Sequence, residues 1–291
     1  MINTSTPADR PPVPDPVFTD DAHHIRFYQG DCLEIFKSIK DECIDLIFAD
    51  PPYFLSNGGI TCQNGRMVSV NKGAWDKSRG VEENYLFVRA WLAESQRVLK
   101  PNGSIWVSGT AHVIHMVGYA MQQLGFKHLN DISWVKPNPP PNLSCRYFTH
   151  ATETILWAAK NKKSRHKFHY RLMKELNGGK QMKSVWSIYP PEKSEKRFGK
   201  HPTQKPVALL ERILQASSDP GDWVLDPFMG AGTTALAALR LKRCFRGFEL
   251  DPKWIQVAMD RIKEEQQVNP DTQPSKRKSA SVISIPARKA V

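Results

Sequence analysis

The sequence predicts an α/β fold built on one doubly wound, mostly parallel sheet. Three observations predict it. Apolar runs of strand length alternate with amphipathic helical stretches, the rhythm of βαβ units. Two of those runs, Ile44–Ala49 and Trp223–Asp226, end abruptly in polar, Pro- or Gly-bearing loops: Asp50-Pro51-Pro52-Tyr53 and Pro227-Phe228-Met229-Gly230-Ala231-Gly232-Thr233-Thr234. Ligands of open parallel sheets bind just beyond strand carboxyl ends, so two such junctions imply one site shared by two ligands. Finally, 291 residues at 40% hydrophobic content supply a sizeable core.

Taken in order, Ile25 to Gln29 reads as a strand, and Gly30-Asp31-Cys32 leads into a helix over Leu33–Ile39. Asp31 suits the helix N-cap and a ligand contact equally. After Tyr53 comes a polar stretch to Arg79 without period, in which Ser56, Asn57, Arg66, Asn71 and Lys72 are candidate nucleic-acid contacts. Glu83–Leu99 has helical spacing and stops at the turn Lys100-Pro101-Asn102-Gly103. A strand at Ser104–Ser108, a helix at Ile114–Leu124 and strands at Leu129–Val135 and Glu153–Ala158 follow. Past Pro206, a helix to Ser217, a strand at Trp223–Asp226, a helix over Ala235–Leu241, a strand at Cys244–Glu249 and a helix over Lys253–Gln266 complete the pattern. Residues 21–267 form the predicted domain, with halves at 25–159 and 201–267 around an insert at about 160–200. Residues 1–20 and 268–291, rich in Pro or in Ser and basic residues, read as unstructured tails.

A formal charge of +12 points to a polyanionic partner. Much of it sits in the insert, where Lys162, Lys163, Arg165, Lys167 and Arg171 are interleaved with Phe168, Tyr170 and Trp186, the pairing expected where cations meet phosphates and rings meet bases. Five scattered cysteines with no CxxC pair argue against a disulfide framework and against a zinc site. With no leader-like start and no apolar run of membrane length, the expected setting is the cytoplasm.

The Gly230-Ala231-Gly232 loop follows a strand and opens a helix, so backbone can approach a nucleotide closely, and Glu249 sits where a carboxylate binds ribose hydroxyls. Ala235 replaces the third glycine of a dinucleotide fingerprint and no Walker Lys is present. An adenosine without phosphates fits better, with Thr233 and Thr234 holding a carboxylate. S-adenosyl-L-methionine (AdoMet) carries those groups. On the acceptor side, Asp50 and the Pro51 carbonyl would take the two N–H bonds of a base amino group, while Pro52 stiffens the turn and Tyr53 stacks on the ring. In duplex DNA that base must first be flipped out.

With these motifs in this order, the chain resembles the β class of DNA amino-methyltransferases, whose AdoMet-dependent, Rossmann-like fold has a permuted motif order. The carriers are Gly30-Asp31-Cys32, Asp50-Pro51-Pro52-Tyr53, Lys100-Pro101-Asn102-Gly103, His201-Pro202-Thr203-Gln204-Lys205-Pro206, Asp226 to Thr234 and Gly247-Phe248-Glu249. The resemblance implies cofactor contacts from Asp31, Cys32, Thr203, Lys205, Asp226, Phe228, Gly230, Gly232, Thr233, Thr234 and Glu249. It implies catalysis by Asp50 to Tyr53, with Asp rather than Ser pointing to adenine N6 over cytosine N4. The segments at 49–59, 142–150 and 172–177 are similar to the second methylase of GATC-specific restriction-modification systems, a relative that accepts single-stranded DNA. Arg146 and Tyr147 join the insert as implied DNA contacts. The partners implied are single- or double-stranded DNA and a cognate endonuclease system, for a monomer or a homodimer. Cytosine, RNA or protein-glutamine methylation, and a DNA-binding module with a vestigial pocket, are the rival readings.

Overall fold

The computed structural model describes residues 10–56, 60–63, 66–69 and 73–269. In chain order its elements are β1 (Phe18–Asp20), β2 (Ile25–Gln29), α1 (Cys32–Ser38), β3 (Ile44–Ala49), β4 (Ile60–Gln63), β5 (Arg66–Ser69), α2 (Val81–Val98), β6 (Leu99–Gly109), α3 (Ile114–Gln123), β7 (Lys127–Val135) and β8 (Thr152–Ala159). These are followed by α4 (Tyr170–Leu176), β9 (Val185–Ser187), α5 (Val207–Ser217), β10 (Trp223–Asp226), α6 (Thr233–Arg240), β11 (Cys244–Glu249) and α7 (Pro252–Val268). Nine strands form one sheet in the order β1-β2-β11-β10-β3-β6-β8-β7-β9, and β4 and β5 pair separately as an antiparallel ribbon.

The central five strands, β2-β11-β10-β3-β6, are parallel throughout. Strand β8 runs antiparallel to both of its neighbours, β6 and β7. Helices cover both faces. One core layer packs α5, α6 and α7 onto Phe27, Leu46, Phe48, Trp106 and Phe245, and the other packs α1, α2 and α3 onto Ile47, Ala49, Ile105, Val107 and Phe248. From β10 the chain winds through α6 to β11 on one side; from β3 it winds through α2 to β6 on the other. The crevice between the carboxyl ends of β10 and β3 is therefore the switch point of the winding, where such sheets bind ligands.

Three expectations change here. The first tail does not run to residue 20: Phe18–Asp20 pairs antiparallel with Ile25–Phe27 at the sheet edge, and Arg10 reaches Asp41. Polar composition hid a three-residue strand that is held by its neighbour. Lys100–Gly103 is an outward bulge at the start of β6 rather than a turn before it, since Ile44 pairs with Leu99 while Leu46 already pairs with Ser104. The insert is not set apart from the sheet, because β9 pairs in parallel with β7. Of the second tail, 270–291 lies outside the described residues, and α7 runs on through Val268.

Candidate active site

Four adjacent strands deliver the site. The ends of β2 (Gly30, Asp31), β11 (Glu249), β10 (Asp226 to Thr234) and β3 (Asp50) surround a cavity of about 200 Å³, which is also lined by Trp75, Arg79, Phe87, His201 and Thr203. The Gly loop has the backbone its glycines allow. Gly232 adopts φ +72°, and a Cβ there would lie 2.5 Å from the Ala258 Cβ. Any side chain would push α7 away from the loop. Gly232 is also the N-cap of α6 and offers no capping side chain, which leaves first-turn N–H groups to a ligand.

Glu249 is set for polar recognition. Its Oε2 accepts from Gly230 N at 2.8 Å and its Oε1 from Asp251 N at 2.9 Å, while burial holds its carboxyl above the usual range. Asp31 caps α1, accepting from Leu33 N at 2.8 Å, so the N-cap and cavity-lining roles coincide. Phe228 lies edge-on to Trp91 (5.4 Å between centroids) and packs on Phe87, making an apolar wall. Burial raises the Cys32 thiol, with the Asp31 charge adding to it, so Cys32 is an inert part of the lining.

The other expected cofactor groups are bound to the protein itself. Thr234 Oγ1 donates to Asp226 Oδ2 at 2.5 Å, and Phe228 N donates to Oδ1 at 3.0 Å. Asp226 thus shapes the loop, and burial pushes it up to about 7. Thr233 Oγ1 accepts from Arg261 Nη1 at 2.9 Å, and the same nitrogen donates to the Ala231 carbonyl at 2.6 Å. The Thr234 hydroxyl proton is therefore taken by Asp226, whereas Thr233, which accepts from Arg261, keeps its proton for a ligand, alongside the backbone N–H groups of the first turn. Arg261, buried on α7, was missed because its place on an amphipathic helix looks like any solvated cation.

Lys205 lines the cavity and also reaches the acceptor side. Its Nζ donates to Asp50 Oδ2 at 2.7 Å and to the Tyr53 hydroxyl at 3.0 Å, and it lies 3.4 Å from Glu153 Oε2. The side chain is 6% exposed and that of Asp50 11%. Tyr53 Oη in turn donates to Asp50 Oδ1 at 2.6 Å. Burial pushes Asp50 above its ordinary value, Lys205 pulls it back and Glu153 adds to the rise. For Lys205, burial acts downward, yet the Asp50 and Glu153 carboxylates hold it above its ordinary value. The Tyr53 ring is 4% exposed and packed in the core, so here it faces Asp50 and Lys205 rather than standing open for stacking.

The loop after Pro52 is held by a residue the sequence did not single out. Asp76, fully buried, accepts from Tyr53 N (2.8 Å), Phe54 N (2.9 Å), Leu55 N (3.2 Å) and Ser56 Oγ (2.8 Å). Phe54 takes φ +58° at this point, and successive N–H groups converge on the carboxylate as a nest. Ser56 is consequently buried and structural, not a nucleic-acid contact. Asn57, Asn71, Lys72 and the Arg66 side chain lie outside the described residues.

The candidate DNA contacts divide by sheet edge. Arg146 and Tyr147 are exposed in the loop between β7 and β8, which emerges at the site's edge because Gly109 pairs with Thr154 and Val135 with Thr152. Lys162, Lys163, Arg165 and Lys167 follow Ala159, which pairs with Ser104 at the opposite, amino-terminal edge. There Ser164 Oγ donates to the Pro101 carbonyl, and Lys167 pairs with Asp219 and Asp222 ahead of β10. Arg171, on α4 beside the carboxyl end of α5, shares that region with Phe168 and Ser218. These five lie about a strand length, roughly 15 Å, from the Asp50 level. Antiparallel β8 is the reason, since it returns the chain to the far edge. Lys193, Lys196 and Lys200 come back to the site's edge after β9, where Glu195 accepts from Val207 N at 2.9 Å.

This pairing of a glycine-walled cavity with a strand-end Asp-Pro-Pro-Tyr is matched by known proteins. The family model N6_N4_Mtase, described as DNA methylase, matches residues 44–260. The chain belongs to this DNA methylase family. The methylase is 55% identical over 241 residues to the type II methyltransferase M2.DpnII of Streptococcus pneumoniae, covering 82% of this chain and 90% of that one. It is 47% identical over 249 residues to the type II methyltransferase M2.MboI of Moraxella bovis, covering 86% and 91%. Among solved structures, the M1.HpyAVI–SAM complex superposes with TM-score 0.62 at 30% identity, covering 82% of the methylase and 98% of that chain. The PvuII cytosine-N4-specific DNA methyltransferase shares the fold, with TM-score 0.65 at 21% identity over 87% and 94%. No helix among the described residues is long and apolar enough to cross a membrane.

Proposed function

We propose that this methylase transfers the methyl group of AdoMet to N6 of adenine in DNA, as the second methylase of a GATC-type restriction-modification system. Asp50 carries the adenine reading: an ionisable acceptor stands at the strand end where an amino group must be received, with Lys205 beside it to keep it charged. The close similarity to M2.DpnII and M2.MboI supports the restriction-modification setting, and with it a cognate endonuclease and a cytoplasmic location.

AdoMet fits the cavity. Glu249 can take ribose hydroxyls, Asp31 and Phe228 can line the adenosine, and the uncapped start of α6 can take the carboxylate. Bound there, it supplies an electrophilic methyl group. The protein's part is to prepare the acceptor. Adenine's amino lone pair is delocalised into the ring; hydrogen bonds to the Asp50 carboxylate and the Pro51 carbonyl localise it on N6 and aim it at the methyl carbon. Phe87, Trp91 and Phe228 form an apolar wall against water. The exposed loop at 136–151 and the basic stretch at 193–200 border this mouth and are the surfaces we assign to DNA.

The deciding experiment is methyl transfer from labelled AdoMet to single-stranded and duplex DNA containing GATC, followed by nucleoside analysis. N6-methyladenine at GATC is the expected product. N4-methylcytosine would overturn the reading of Asp50, and N6-methyladenine at another sequence would overturn the GATC assignment alone.

A further inference from the structure

Resting on the adenine reading, we propose that Glu153 is a positioning residue that receives the Tyr53 hydroxyl when a target base enters, and so frees Asp50 for the base's amino group. Both Asp50 oxygens are already engaged, Oδ1 by the Tyr53 hydroxyl at 2.6 Å and Oδ2 by Lys205 at 2.7 Å. The first is a short bond to an ionised acceptor, the strong kind. An amino group can reach only the second lone pair of Oδ1, whose charge it must share with the hydroxyl until the hydroxyl turns away.

The geometry holds the alternative acceptor ready. Glu153 Oε2 lies 3.3 Å from the Tyr53 oxygen, 100 residues away in sequence but adjacent in space, on β8. A hydroxyl has one proton, and rotation about its C–O bond redirects that proton from Asp50 to Glu153 without displacing a ring packed in the core. Lys205 Nζ, 3.0 Å from the same oxygen, keeps donating to it in either state. No covalent bond changes.

Glu153 is built to accept. Lys136 Nζ donates to its Oε1 at 2.5 Å; Ser108 Oγ at 3.4 Å and Lys205 at 3.4 Å approach Oε2. The side chain is only 9% exposed. Burial acts to raise a carboxyl here, yet Lys205 and Lys136 hold Glu153 down at about 2, so a full negative charge waits behind Tyr53. Lys136 and Lys205 compensate that charge, and its Oε2 still faces the Tyr53 hydroxyl. From there it can draw the tyrosine proton away from Asp50 as the base arrives.

The test is a double-mutant cycle between Glu153→Gln and Tyr53→Phe, read by the single-turnover rate of adenine methylation on a single-stranded GATC oligonucleotide. Glutamine keeps the shape but not the charge, so E153Q leaves the hydroxyl on Asp50. It should slow the wild type at least tenfold and the Tyr53→Phe variant less than threefold, with AdoMet affinity within twofold throughout. Glu153→Asp, which keeps the charge, should recover most of the rate, and Glu153→Asn, which removes it, carries the same cycle if E153Q does not fold. The second readout needs no turnover. With S-adenosylhomocysteine bound, the wild type should prefer an oligonucleotide with adenine at the target over one with purine, which lacks the amino group. E153Q should lose that preference and the double variant should regain it. Equal losses in both backgrounds, or an intact preference in E153Q, overturn the role of Glu153. Failure of the wild type to methylate adenine at all is a different result, which removes the adenine reading itself.

Discussion

At the scale of single residues, the site is a set of charges whose values depend on one another. If Asp50 receives the amino group as proposed, it must do so as a carboxylate, and because burial raises it, methylation should be lost as pH falls at a point above the usual carboxylate range. Lys205 is the opposing cation. Lys205→Met should move the acidic limb of the pH–rate profile upward by about one unit or more and lower the rate at pH 7 about tenfold or more, while AdoMet affinity stays within threefold. An unmoved limb would show that the ion pair does not govern Asp50. A second group with a pH signature is Asp226. Its folded value near 7 exceeds its unfolded value of about 4, so the folded state binds more protons between them. Stability therefore falls as pH rises from about 4 to 7 and is level above that. Three units correspond to at most about 4 kcal/mol. Asp226→Asn should flatten that slope in denaturant titrations from pH 5 to 8; a slope equal to the wild type would sink the assignment. Asp50 and Glu249 were legible in the sequence because strand-end carboxylates have few other reasons to be there. Lys205 was named only through the resemblance, and Glu153, Asp76 and Arg261 not at all, because their partners depend on which distant group each meets, and no local spacing records that.

At the scale of elements, the boundaries of helices and strands followed the apolar periods closely, and Asp31 was rightly read as a cap. What the local pattern did not carry was strand direction. Parallel β-α units explain 25–109, but β7 and β8 form an antiparallel pair joined by a loop at the site's edge, and this reverses where the following basic residues emerge. A run of lysines looks the same on either edge. The consequence can be measured in DNA affinity. Arg146→Ala with Tyr147→Ala should weaken single-stranded DNA binding about fivefold or more and reduce its salt dependence, through loss of a phosphate contact and a stacking ring. Lys162→Ala with Lys163→Ala should change affinity less than twofold at physiological salt, where screening acts over about 8 Å. The reverse ranking would place the DNA on the amino-terminal edge.

At the scale of the whole molecule, the cofactor half and the acceptor half are far apart in sequence and meet at one crevice. Strands β2, β11, β10 and β3 stand side by side, and Gly30 N donates to the Glu249 carbonyl at 3.0 Å, joining the loops of the first and last of the central strands in chain order. The fold class and this meeting of junctions were readable in advance, since strand-end motifs of a parallel sheet must share an edge. A ligand seated across four strands binds the folded chain and not the unfolded one, so it stabilises by mass action. At one hundred times its dissociation constant, AdoMet contributes about 2.7 kcal/mol. For a domain of this size that is a rise in Tm of about 5 °C or more. The two halves should then separate by mutation. Asp50→Ala should abolish methyl transfer and keep the AdoMet-dependent rise, because Asp50 faces the acceptor. Glu249→Ala should lose most of the rise at the same AdoMet concentration, because its carboxylate both lines the cavity and holds Gly230 N. If Asp50→Ala loses the rise while Glu249→Ala keeps it, the cofactor lies on the other side of the crevice and the assignment of the two halves is reversed.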